Sequence, residues 1–163
     1  MKFGLCTIIV LFSGIAGLII KNQIDKKICY FEEINMFLQF LSVKIAFFQN
    51  YYADCIRDFI AQHKLKNQQF FENIELLISS SNFDFQAVEK LTPQLQPSEQ
   101  EFVFKIFSSI GFSDIISQQK IIDGLTKQND LLLAQLKTQK EIKGDPAVKL
   151  SLCAGLVIAI LIY

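Results

Sequence analysis

A chain of 163 residues with sixteen basic and sixteen acidic side chains carries no net charge, and no basic stripe runs through it, which argues against a nucleic-acid partner. About half of it is hydrophobic (51%), with sixteen phenylalanines, no tryptophan and a single histidine, His63. The distribution excludes more than the totals do: every acidic residue lies between Lys21 and Pro146, and the two ends carry none.

Phe3 to Ile20 reads FGLCTIIVLFSGIAGLII without a charge. As a helix these 18 residues reach ~27 Å, close to the ~30 Å hydrocarbon core of a bilayer. A secretory leader would need Lys2 as its basic start and Gly14-Ile15-Ala16 as its cleavage site. The apolar run continues past that point, so an uncleaved anchor is expected. Leu150 to Tyr163, LSLCAGLVIAILIY, is the second such run. Taken from Ala147 it covers ~25 Å, with Lys149 able to snorkel and Tyr163 suited to the far interface.

Between the runs the apolar period is helical. Ile24, Ile28, Phe31, Ile34, Leu38, Leu41 and Ile45 mark one face of a helix that no breaker separates from the first run, ending near Gln49–Asn50. Shorter helices are expected over Ala53–Gln62 and Asn67–Ile78, then Phe85–Leu91 after the loop Ser79–Asn82. Thr92 to Pro97 reads as a linker. Ser98 and Glu101 have the spacing of a capping box opening the next helix, which stops at Gly111. Ser113 or Asp114 then caps a long helix with the stripe Ile115, Ile122, Leu125, Leu132 and Leu136, interrupted by Asn129. Gly144-Asp145-Pro146 is expected to break it, with Asp145 as the N-cap of the last helix. The phenylalanines at helical spacing read as core filler.

The fold class that follows is all-α: two terminal transmembrane helices flank a cytosolic helical bundle built on a long antiparallel helix pair. The boundaries are 1–20 for the N-terminal transmembrane helix, 21–146 for the bundle and 147–163 for the C-terminal transmembrane helix. Orientation follows from the lysines. Lys21, Lys26, Lys27, Lys137, Lys140, Lys143 and Lys149 lie on the inner flanks, against Lys2 on the other side. In the spans, Ser13, Gly14 and Gly17, and Ala154 and Gly155, give faces where helices can approach closely.

Catalytic chemistry is not encoded in any recognisable pattern. His63 beside Lys64 and Lys66 reads as a solvated helix end. Asp54/Asp58 and Glu72/Glu75 lack a histidine on the same face, and no phosphate loop, GxSxG or dinucleotide fingerprint is present. Cys6, Cys29, Cys55 and Cys153 form no CxxC. No enzyme activity, cofactor or metal is expected.

The layout, with Ile110-Gly111-Phe112-Ser113-Asp114 and then Gln118, resembles the stage III sporulation protein AB family of endospore-forming bacteria. That segment is similar to the family's Leu-Gly-x-Ser-Asp turn with its glutamine four residues on, and Leu152 with Gly155 to Ile162 resembles its last span. The resemblance implies a non-enzymatic membrane platform like the F protein of type II secretion. It would sit in the mother-cell membrane around the forespore, within a channel joining the two cells. Its implied partners are a secretion-type AAA ATPase, stage III sporulation protein AA, and other channel components. Gly111, Ser113, Asp114 and Gln118 become the candidate partner contact or hinge. A membrane-anchored coiled-coil scaffold or sensor unrelated to secretion is the alternative.

Overall fold

The computed structural model describes residues 2–47, 52–110 and 115–162, with the backbone alone described at 2–12, 45–47, 115, 145, 152, 155–156 and 159–162. In chain order the helices are α1 (Lys2–Phe47), α2 (Tyr52–Gln62), α3 (Gln68–Ser79), α4 (Phe85–Leu91), α5 (Pro97–Ser108) and α6 (Ile115–Gln139). A π-helical turn, Lys140–Gly144, leads into α7 (Asp145–Ile162). The protein is all-helical, with no strand among the described residues. Among those residues no helix is long and apolar enough to cross a membrane. The two uncharged runs enter that description only in part, since many of their side chains lie outside it.

Two compact units form. The first joins residues 1–28 to 133–163; the second is Cys29–Leu132. In the second, α1 and α6 run antiparallel: Gln119 Nε2 donates to Ser42 Oγ (2.8 Å), Asn35 Nδ2 to Asp130 (3.0 Å), and Asn129 Nδ2 to the Phe31 carbonyl (2.9 Å). Asn129 is fully buried. The residue that interrupts the apolar stripe therefore fixes the register of the pair, because sliding would bury its amide unpaired. Ile122, Leu125 and Asn129 of the stripe are buried, whereas at the next position Leu133, in the first unit, is covered in place of Leu132.

The opposite side of α1 contributes Phe37, whose ring lies 5.2 Å from Phe59 of α2, 5.7 Å from Phe71 of α3 and 5.5 Å from Phe107 of α5, centre to centre. All four rings are buried. These offset and edge-on contacts add to the burial of large apolar surfaces, and Phe31 and Phe70 are buried as well. The α1 face is wider than its sequence period suggests, because α6 and the short helices cover different sides of it.

Helix ends explain the short elements. Asp84 caps α4, accepting from the Ala87 amide (2.7 Å). After α3, the Asn82 amide reaches the Leu77 carbonyl (3.0 Å) and the Ser81 amide that of Ile78 (3.2 Å). This closing pattern places Ser81 at φ 57°, where glycine is usual. The box at α5 forms two residues earlier than Ser98 and Glu101 suggest. Pro97 takes the first helical position, where its missing amide costs nothing. Gln96 becomes the N-cap and its amide donates to the Glu99 carboxylate (2.6 Å). Ser98 and Glu101 are exposed within the helix.

The expected break at Gly144-Asp145-Pro146 also gives way to continuity. The helix passes through the π turn into α7, so Asp145 lies inside an unbroken helical backbone and is not an N-cap. A proline within a helix lacks one amide and crowds the carbonyl a turn earlier. The wider π turn accommodates both without ending the helix.

Candidate functional site

In the first unit, the two chain ends meet along small residues. The Ser13 hydroxyl donates to the Ser151 carbonyl, and Ser151 Oγ donates to the Val148 carbonyl (3.0 Å). Gly17 is buried against the same turn. A methyl group there would lie 2.8 Å from Val148 Cα and 2.9 Å from the Ala147 carbonyl oxygen. Backbone cannot yield at those distances, so Gly17 is what lets the helices touch. Lower down, Asp25 pairs with Lys140 (2.7 Å) and Gly144 is buried near Ile24. Of the residues expected at the close approach, Ser13 and Gly17 are in it and Gly14 is half-buried beside them. Ala154 is exposed, and the surroundings of Gly155 lie outside the described residues. The partner turn is Ala147–Ser151 instead. Composition gives no hint of that, since the register of helices more than a hundred residues apart is set by packing.

The corner before α6 is covered only at its end. Gly111, Ser113 and Asp114 lie outside the described residues; Gln118 is half-buried in the first turns of α6, next to the Gln119–Ser42 contact.

The acidic pairs of the middle are engaged in ion pairs. Asp58 meets Lys44 (3.0 Å), while Arg57 bridges Asp54 (3.4 Å) and Glu75 (2.5 Å). Its hydrogen bond to Glu75 pushes the guanidinium further up. Glu72 accepts from Gln68 (2.7 Å). His63 packs on Phe59 at 4.6 Å, with Nδ1 3.1 Å from the Phe59 carbonyl. Among the described residues, no three His, Cys, Asp or Glu side chains cluster to hold a metal.

One buried carboxylate stands out. Glu33 of α1, 5% exposed, accepts from the Lys66 amide (2.5 Å), the Asn67 amide (3.1 Å) and Asn67 Nδ2 (2.7 Å). It ties α1 to the segment that enters α3, holding the amide and side chain of the N-cap residue Asn67, which itself makes no side-chain capping bond. A buried charge tolerates such a place only with donors of this kind. The one sequence signal is a glutamate beside Ile34 on an otherwise apolar face.

Burial, then Glu33, pushes the Cys29 thiol up; burial, then Asp58, does so for Cys55. Both lack the thiolate character of a nucleophile. The phenols of Tyr30 and Tyr52 are raised well above their usual range, first by burial.

A family model described as stage III sporulation protein AB matches residues 2–163. No curated protein and no solved structure matches the chain.

Proposed function

Because the chain belongs to the stage III sporulation protein AB family, and so has its role in stage III of sporulation, we propose that it is a non-enzymatic membrane platform. Its two terminal helices hold it in the mother-cell membrane around the forespore. The helical region between them lies on the cytosolic side and docks the cognate secretion-type AAA ATPase, within a channel joining mother cell and forespore.

The observation that carries this reading is the antiparallel meeting of the chain ends at Ser13, Gly17 and Ser151. It brings the two uncharged runs out at the same end of one hairpin, as a two-span anchor requires. The described parts of both runs present apolar side chains outward: Ile15, Leu18, Ile19 and Ile20 on α1, and Leu150, Val157 and Ile158 on α7. Neighbouring isoleucines on every side of a helix suit lipid, not water. The lysine bias on the inner flanks supports a cytosolic middle. A self-associating rod has less to work with, since the apolar stripe of α6 is already filled by α1 of the same chain at Asn129 and Gln119.

Full-length protein in detergent, presented with the cognate ATPase, tests the docking role. Capture of the ATPase by a chain that is not a coiled-coil dimer is the expected result. A parallel dimer without affinity for the ATPase would replace this reading with that of a membrane-anchored scaffold.

A further inference from the structure

Zero net charge hides a separation. Residues 1–28 and 133–163 carry eight lysines against Asp25, Glu141 and Asp145, a formal +5. Residues 29–132 carry eight basic and thirteen acidic groups, a formal −5. The positive unit concentrates its charge. Three lysines lie on α1 between Lys21 and Lys27, and four on the returning helix between Lys137 and Lys149. Lys140 answers Asp25 directly, which takes one lysine and one acid out of the balance and leaves the surplus at five. Lys26, Lys143 and Lys149 are exposed.

The second observation is what borders this collar. On α1 the exposed apolar band gives way to charge within one residue: Leu18, Ile19 and Ile20 are about half exposed and Lys21 follows. On α7, Lys149 is exposed immediately before the exposed Leu150. Exposed apolar residues bordered by a lysine on both helices are the arrangement that a lipid interface solvates, chains against the isoleucines and phosphates against the exposed lysines. Lys21 to Lys27 covers ~9 Å of helix, comparable with the headgroup layer of ~5–8 Å on each side of a bilayer.

We propose that the lysine collar of the first unit recognises the phosphates of anionic phospholipid headgroups, so that the protein gathers anionic lipid around its hairpin. The inference rests on the membrane-anchored reading above and adds to it a lipid preference. Each lysine near an anionic surface favours such lipid by about fivefold, and the attraction fades beyond a Debye length of ~8–10 Å.

The full-length chain would be reconstituted in vesicles of phosphatidylcholine alone and of equimolar phosphatidylcholine and phosphatidylglycerol. After gentle extraction, the lipids still bound would be counted by native mass spectrometry. Phosphatidylglycerol should exceed phosphatidylcholine by about fivefold or more among retained lipids, and the excess should shrink as salt is raised. The triple variant Lys26→Gln, Lys143→Gln, Lys149→Gln should lose most of it. A control with Lys64→Gln, Lys90→Gln and Lys120→Gln, in the second unit, should keep it. Parity in the unaltered protein, or equal loss in both triples, overturns the proposal. Flotation with pure phosphatidylcholine vesicles separates the two readings: a chain that floats but shows parity overturns the headgroup preference alone, and one that stays behind overturns the anchoring beneath it.

Discussion

The two units solve the same problem, holding antiparallel helices together, with opposite materials. In the second, bulk does it: Phe37, Phe59, Phe71 and Phe107 fill the space between α1 and the short helices, and a buried Asn129 fixes the register. In the first, absence of bulk does it: Gly17 and the Ala147–Ser151 turn let backbone touch backbone. In water, large apolar side chains gain by leaving the solvent. In lipid that gain vanishes, and close van der Waals contact with backbone-directed hydrogen bonds is what remains. The contrast in packing is the one expected of a first unit that meets lipid, as proposed above, and a second that meets water.

The comparison is broken most severely at Phe37. Replacing it by Ala should cost the second unit about 3–5 kcal/mol, seen as early loss of helicity on heating, while the terminal hairpin still associates with membranes. Glu33→Ala comes next. It strands the Lys66 and Asn67 amides, at about 2–3 kcal/mol, and thermal unfolding followed by circular dichroism would register it. If Glu33→Ala were neutral, the tie between α1 and the segment entering α3 would have no energetic role. Gly17→Leu acts in the other unit. Overpacking of about 1–3 kcal/mol should abolish crosslinking between cysteines introduced at Ser13 and Ser151 and leave the melting of the second unit unchanged. The smallest effect sharpens the contrast from the opposite side. Gly124 is exposed, with nothing within 4 Å of an added methyl, so Gly124→Ala should stabilise by about 1 kcal/mol. A methyl is welcome at one glycine and forbidden at the other.

How far the sequence speaks for itself varies along the molecule. Helix order and type are carried by local periodicity, so α1 reads as one rod and Phe85–Leu91 falls where the pattern puts it. The core phenylalanines follow from the same spacing. Glu33 is not legible as an anchor for the α3 entry because its donors lie more than thirty residues away and local rules do not reach that far. Ser98 and Glu101 mislead because the same rule fits Gln96 and Glu99, and Pro97 decides between them. Gly144-Asp145-Pro146 carries the composition of a helix break, yet a π turn absorbs the proline while the helix stays packed through Lys140 and Ile24. In the terminal hairpin, Ser13 and Gly17 are visible as small residues. Their partners are not, because small residues mark a possible contact without naming the turn across from it.

The central claim is that the terminal hairpin sits in lipid with Cys29–Leu132 on the cytosolic side. Protease applied to gently opened sporulating cells, in which the cytosolic face of the membrane around the forespore is exposed, tests this most directly, with alkaline carbonate extraction of the membranes alongside. Protease should remove the second unit, while the uncut chain stays with the carbonate-washed membranes. Survival of the second unit on sealed membranes, or release of the intact chain by carbonate, would contradict it.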